Sequence, residues 1–339
     1  MIYIVKLGIL DYAQIDEGSH AIEALNNTIE LAQLAEKLGY TRFWVAEHHD
    51  VPAFASSSPE MLMMRLADAT SEIRIGSGGV MLPHYSPYKV AENFRMLEAF
   101  HPNRIDLGVG NTVGTTIVNQ TLNEKKEQKL NYSQAIEDLT LYLTDQIDAR
   151  HRFEGITANP VVPTTPHMSV LSTSVRRAQM AADLGIGYTL GIFPLINERM
   201  FEIGIHATKT YREAFKPSQF LSKPVVSISP FLVIAETNEA AEAYAEALDY
   251  WLLALDNFSY YKAFPSVETA RAYHYTEKER ETIQANRKRM IVGDKKSVRK
   301  QLEALINTFG ADEILCIPLM PGFKTRKQAL KLLAEAFNE

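Results

Sequence analysis

Short apolar runs alternate with longer stretches in which apolar residues recur at helical spacing. The run at 5–10 ends on Asp11. Residues 19–38 then carry Ile22, Leu25, Ile29, Leu31, Leu34, Ala35 and Leu38 on one stripe, which predicts an amphipathic helix closed by Gly39. Phe43-Trp-Val-Ala46 is short and wholly apolar, as a parallel strand buried on both faces requires. It stops abruptly at Glu47, His48 and His49. The same alternation predicts strands at 73–82, 104–109, 167–171, 187–193, 225–234 and 313–319. Helices are expected over 59–70, 87–100, 174–184, 196–215, 239–255, 296–309 and 326–337, with Pro59 and Pro87 near two of the starts.

The alternation breaks twice. A polar stretch at 111–123 leads into a long predicted helix at 124–147, and an irregular region at 256–290 is rich in Tyr and Phe. Eight strand–helix units in 339 residues predict an α/β fold, a (β/α)8 TIM barrel with insertions after strands 4 and 7. An open doubly wound sheet is the alternative.

Composition narrows the function classes. The chain is 46% hydrophobic and 22% charged, with net charge −6. No Lys/Arg stripe forms, so no nucleic-acid partner is expected. The dense charged stretch at 124–129 mixes signs and reads as a solvated helix face. No apolar run approaches the ~20 residues of a membrane span, so no membrane partner is expected. The single cysteine, Cys316, sits in an apolar run and is expected to be a buried, inert thiol. The first residues lack the cationic and small-residue marks of a leader, and the cytoplasm is the expected compartment.

In a barrel the strand ends converge on one mouth. They bring Asp11, Glu47, His48, His49, the stretch 78–84, Gly110, Asn111, Ser172, Thr173, Ser174, Phe193, Pro194, Ser227, Ser229 and residues 318–320. Successive strand side chains face opposite ways, so one of His48 and His49 faces the site, and histidines there could titrate near neutral pH. Their spacing fits no zinc motif, and no metal is expected. No Gly-x-Ser-x-Gly elbow is present. Gly108-Val-Gly110 opens no helix directly, against a dinucleotide fingerprint. Gly76-Ser-Gly-Gly79 lies inside an apolar strand. Either a bulge with tight packing or a flat ligand against bare backbone accounts for it. Ser172, Thr173 and Ser174 end a strand and open a helix. N-capping is the simpler reading; a phosphate held with Arg176 or Arg177 is the functional one.

Four motifs then act together: Leu38-Gly-Tyr-Thr-Arg-Phe-Trp-Val-Ala-Glu-His-His49, Arg74-Ile-Gly-Ser-Gly-Gly-Val-Met-Leu-Pro-His-Tyr-Ser-Pro87, Lys89-Val-Ala-Glu92 and Arg104-Ile-Asp-Leu-Gly-Val-Gly110. With Ile291-Val-Gly-Asp294 and Gly310-Ala-Asp-Glu-Ile314, they resemble the bacterial luciferase-like flavin monooxygenases over essentially the whole chain. The resemblance implies one barrel domain over 1–339. It implies a flavin-dependent monooxygenase that uses reduced FMN as co-substrate with O2, oxygenating a small organic substrate through a C4a-peroxyflavin. It implies His48 as the catalytic residue and a non-proline cis peptide at Gly78-Gly79 beneath the flavin. Cofactor contacts fall to Gly78, Gly79, Val80, Asn111, Ser172, Thr173 and Ser174. Trp44, Met81, Phe193 and Met320 are expected to line the site and exclude water. Asn111 stands where many relatives carry arginine, and supplies no charge. A homodimer through the methionine-rich helix at 60–66 and a separate NAD(P)H:flavin reductase are the implied partners. The segment 258–264 with Tyr273 and Tyr275 reads as a lid or as flank packing. The alternatives on the same fold are a deazaflavin-dependent hydride-transfer dehydrogenase and a non-catalytic FMN-binding protein.

Overall fold

The structure, a computed structural model, describes residues 5–124, 126, 130–254 and 260–338. Its strands are β1 (Lys6–Asp11), β2 (Arg42–Val45), β3 (Arg74–Met81), β4 (Ile105–Gly110), β5 (His167–Leu171), β6 (Gly187–Gly191), β7 (Val226–Ser229), β8 (Phe231–Ile234), β9 (Met290–Gly293) and β10 (Glu313–Pro318). The helices of the first half are α1 (Ala21–Lys37), α2 (Pro59–Ala69), α3 (Pro87–Phe100), α4 (Thr116–Leu122) and α5 (Tyr132–Thr144). The second half adds α6 (Val175–Leu184), α7 (Glu198–Ala214), α8 (Asn238–Trp251), α9 (Val267–Ala272), α10 (Glu277–Arg287), α11 (Lys295–Phe309) and α12 (Phe323–Asn338).

β1 to β7 pair in sequence order, β10 follows β7, and β10 pairs back with β1, all in parallel. This closes the predicted eight-stranded barrel. β2 and β10 are buried at every position: apolar side chains fill them after their first residues, Arg42 and Glu313, which are buried as an ion pair. Cys316 is fully buried in β10, and burial pushes its thiol well above the ordinary range.

The strand predicted at 225–234 is two strands. Pro230 has no N–H to give the ladder. Its carbonyl instead accepts Ile317 N–H at 2.9 Å. β7 pairs the start of β10, with Ser227 opposite Glu313. β8 pairs its end, with Phe231 opposite Ile317. β8 then pairs β9, a strand absent from the sequence reading, so the barrel rim rises on this side.

Both irregular regions hold more order than the sequence pattern implied. Thr115 caps α4 inside the stretch read as a loop. The helix predicted at 124–147 is observed as α5, which starts after its cap Asn131; residues 125 and 127–129 of that prediction lie outside the described residues. α9, α10 and β9 occupy the region read as irregular, and α10 opens with a capping box between Thr276 and Glu279. Residues 258 and 259 of the aromatic segment lie outside the described residues.

A charged cluster closes the amino-terminal end of the barrel. Arg42 donates to Glu313 Oε2 at 2.8 Å and to Asp106 Oδ2 at 2.5 Å. Arg74 reaches the other Asp106 oxygen at 2.7 Å, and the Trp44 indole N–H bonds Asp106 at 2.9 Å. Burial opposes the charge on Asp106, but Arg42 and then Arg74 outweigh it and hold the carboxyl well below its usual range. Trp44 therefore belongs to the barrel interior and its floor, not to the mouth where the sequence reading placed it.

Candidate functional site at the barrel mouth

β2 delivers Glu47, His48 and His49 to the carboxyl-end rim, and the structure divides them. Glu47 turns inward: its Oε2 accepts Met81 N–H at 2.7 Å, and its Oε1 accepts the Tyr85 hydroxyl at 2.6 Å. His49 Nε2 lies 2.7 Å from the same Oε1. Glu47 and His49 are therefore structural supports. His48 is the free one. Its backbone N–H bonds Ser56 O at 2.9 Å, and its ring packs edge-on to Tyr12 at 4.5 Å and beside Phe54 at 5.0 Å. Its Nδ1 is buried without a hydrogen-bond partner. Burial, reinforced by His49, pushes the His48 imidazole down to about 4. His48 is neutral at pH 7, contrary to the expected titration near neutrality.

The wall around His48 is built from loops far apart in sequence. Phe54 packs on Trp251 at 5.2 Å, and Trp251 on Phe264 at 5.7 Å. Phe264 N–H bonds Ile15 O at 2.7 Å, and Gln14 Nε2 donates to Met320 O at 2.8 Å. These bonds tie the loops after β1 and β10 to the insertion after β8. Phe264 is a wholly buried anchor of that wall. The sequence reading missed Tyr12, Phe54 and Trp251. Tyr12 had a usable signal, since it directly follows the last residue of a predicted strand.

On β3 the Gly78–Gly79 peptide is cis, as the resemblance implied. The register of β3 against β4 slips between Ser77 and Val80. A Cβ on Gly79 would stand 2.7 Å from the Gly108 carbonyl oxygen, and one on Gly78 would stand 2.6 Å from Leu10 Cδ1. A bulge and a close strand approach thus account for the glycines without a ligand. Val80 is fully buried and in register with Val109, so of the three expected positions only Gly78 and Gly79 are partly exposed.

Asn111 is exposed as the first residue beyond β4. At β5, Ser172 Oγ accepts Ser174 N–H at 3.0 Å, and Ser172 O accepts the Tyr188 hydroxyl at 2.7 Å. Ser174 occupies the N-cap of α6, yet its hydroxyl makes no capping bond. Plain capping therefore does not explain it. Arg177 lies over the Tyr132 ring at 4.5 Å and donates to Ser133 Oγ at 2.8 Å. Unbonded first-turn N–H groups, a spare hydroxyl and a cation without a carboxylate fit a phosphate.

Three expected strand-end groups are not at the mouth. Asp11 is spent on Ala13 N–H at 2.9 Å and on the Thr28 hydroxyl at 2.7 Å. The Ser227 hydroxyl bonds Glu313 and the Ser229 hydroxyl bonds Leu315 O. The break at Pro230 hands the rim position to Phe231, which packs on the half-buried Phe193 at 5.5 Å. Arg289, also missed, lies against Phe193.

The profile of a family described as luciferase-like monooxygenase matches residues 5–313. The chain belongs to the luciferase-like monooxygenase family. Relatives include the uncharacterized protein YwcH of Bacillus subtilis (strain 168), 43% identical over 99% of this chain and 100% of that one. The N-acetyl-S-alkylcysteine monooxygenase of the same organism is 33% identical over 98% of each chain. The crystal structure of apo-MsnO8 is 34% identical, covers 99% of this chain and 98% of that one, and superposes with a TM-score of 0.86. More distant structures share the fold alone. They include the oxygenating constituent of 3,6-diketocamphane monooxygenase from Pseudomonas putida in complex with FMN (14% identity, TM-score 0.70). An F420-dependent secondary alcohol dehydrogenase also has the fold (15% identity, TM-score 0.68). Family membership makes this luciferase-like protein an oxidoreductase of the monooxygenase type, acting on a small molecule with O2. Among its described residues, no helix is long and apolar enough to cross a membrane.

Proposed function

We propose that this luciferase-like monooxygenase uses reduced FMN and O2 to place one oxygen atom on a small organic substrate at the barrel mouth. The observation that carries the reading is one rim holding three things: the unpartnered Nδ1 of His48, the half-buried Gly78–Gly79 backbone, and the uncapped start of α6. Bound reduced FMN would supply the two electrons that activate O2, one oxygen going to substrate and the other leaving as water. Ser172, Thr173, Ser174 and the α6 N-terminus would hold its phosphate, with Arg177 nearby. The backbone of Gly78, Gly79 and Val80 would lie under its ring. Asn111 would add a neutral hydrogen bond. His48, neutral and packed against Tyr12 and Phe54, would offer its unpartnered ring nitrogen to the substrate. Met81 and the aromatic cage would exclude water.

α4 begins only at Thr116, after the loop that follows Gly110, so the chain offers no dinucleotide turn there. A separate NAD(P)H:flavin reductase in the cytoplasm, as the family resemblance implies, would be the source of reduced FMN. Met61 and Met96, exposed on the groove of about 550 Å³ between α2 and α3, favour a homodimer through that face.

The test is an anaerobic FMN titration followed by absorbance, chemical reduction, and admission of isotopically labelled O2 with N-acetyl-S-methylcysteine or a short ketone as probe. FMN binding and one labelled oxygen in the product are expected. His48→Ala should keep FMN affinity and cut product formation by at least ~10²-fold. Wild-type protein that ignores FMN, or that reduces substrate with a deazaflavin and no O2, overturns the reading.

A further inference from the structure

Among the described residues, four arginines are buried: Arg42, Arg95, Arg289 and Arg326. Three have carboxylate partners. Arg42 pairs with Asp106 and Glu313, Arg95 with Asp145 at 2.7 Å, and Arg326 with Asp16 at 3.3 Å. Arg289, 4% exposed, has none among the described residues. A buried cation left unpaired is costly, so its persistence calls for an anion that completes it.

The immediate surroundings repeat the deficit. Arg289 Nη1 donates to Phe193 O, and Nη2 donates to Asn286 Oδ1 at 2.6 Å. Arg289 Nε is buried without a partner, and so is Nδ2 of Asn286, itself 3% exposed. Two adjacent buried side chains thus present spare N–H donors and no acceptor. A planar acceptor with two oxygens suits a guanidinium fork next to an amide. Burial alone lowers the guanidinium to about 10, with no carboxylate pulling the other way.

The position is at the mouth. Arg289 directly precedes β9, whose Met290 is level with Phe231, and Phe231 is level with Ile317 near the end of β10. Its bond to Phe193 O reaches the loop after β6. Arg289 therefore stands on the β6–β8 side of the rim, separate from the start of α6.

We propose that Arg289 and Asn286 form a carboxylate-recognition site that selects an anionic substrate, with Phe193 and Phe231 as the apolar surface beside it. The bond to Phe193 O is the one an incoming carboxylate would replace. The proposal rests on the monooxygenase reading above and gives that reading its substrate class: a small organic acid.

The test measures binding, not turnover. N-acetyl-S-methylcysteine and its neutral methyl ester are titrated by calorimetry into the full chain, with FMN and riboflavin titrated in parallel. Wild type is expected to prefer the acid by about tenfold or more, the worth of a charge-assisted hydrogen bond. Arg289→Met should erase the preference and leave ester, FMN and riboflavin binding unchanged. Asn286→Asp supplies an internal carboxylate to Arg289; it should lose acid binding by about tenfold without lowering the melting temperature. Because Asn286→Asp fills the deficit, it keeps the test open where Arg289→Met fails to fold. No acid preference in the wild type, including no binding of either probe, overturns the proposal. So does an Arg289 variant whose main loss is FMN relative to riboflavin, since the anion is then the cofactor phosphate. Wild type that prefers the acid but ignores FMN keeps this site and overturns the flavin reading alone.

Discussion

Glu47 reaches from the end of β2 to the backbone N–H of Met81 at the end of β3, 2.7 Å away. The same carboxylate takes the Tyr85 hydroxyl and His49 on its other oxygen. One side chain thus fixes the rim strand carrying Gly78–Gly79 relative to the strand carrying His48. Glu47→Leu keeps the bulk but removes both acceptors, leaving the Met81 N–H and the Tyr85 hydroxyl unpaired. It is expected to cost about 1–3 kcal/mol, the price of a buried unsatisfied group. Tyr85→Phe removes one bond and should cost about 0.5–1.5 kcal/mol. Chemical denaturation of both variants checks the order; equal losses would place the burden elsewhere.

The glycines of β3 and β4 separate by position. Gly79→Ala sets a Cβ 2.7 Å from Gly108 O, where the neighbour is backbone and cannot step aside. A loss of about 1–3 kcal/mol or more is expected. Gly110→Ala meets nothing nearer than Val80 O at 3.8 Å and should change stability by less than about 0.5 kcal/mol. Melting temperatures of the two variants decide it, and a tolerant Gly79 would remove the close-approach explanation.

His48 makes stability depend on acid. Unfolded, it titrates at 6.5; in the native protein burial holds it down to about 4. Between those values the unfolded chain binds a proton that the native state refuses, so a falling pH favours unfolding. The loss begins below pH 6.5 and is complete below about 4, amounting to about 3 kcal/mol. His48→Gln should flatten this part of the curve relative to wild type. Denaturation midpoints from pH 7 to 4 test this, and parallel curves would show that His48 is not the group responsible.

Ser174 distinguishes capping from cofactor binding. Its hydroxyl makes no capping bond, so Ser174→Ala should alter stability by less than about 0.5 kcal/mol. Thr237 does cap α8, accepting Ala240 N–H at 3.2 Å, and Thr237→Ala should cost about 1 kcal/mol. If Ser174 serves the phosphate, its alanine variant loses FMN affinity roughly tenfold or more while riboflavin affinity stays constant. A matching loss for both flavins would count against a phosphate contact.

The strands were legible because a buried parallel strand needs apolar residues at every position, and few other elements do. Residues 43–46 and 314–319 show this directly. The split at Pro230 was also written in the sequence, since proline cannot serve the middle of a ladder, but the flanking apolar runs masked it. α5 was read too long because its charged approach is good helix-forming composition, while the true start depends on Asn131 turning its side chain to Gln134 N–H. At the site, the place of His48 followed from its strand, but its neutral state did not. That state depends on Tyr12 and Phe54, which arrive from other loops. Arg289 was invisible for a related reason. A sequence shows where an arginine is, not that no carboxylate comes to meet it.

The proline that divides the seventh strand decides which substitutions the barrel feels. Below Pro230 the ladder is locked to the charged floor through Ser227 and Glu313, and mutations there threaten barrel closure. Above it, β8 pairs only the last residues of β10 and then β9, carrying Phe231 beside the strand that follows Arg289. That upper piece can exchange residues without disturbing the closure beneath it.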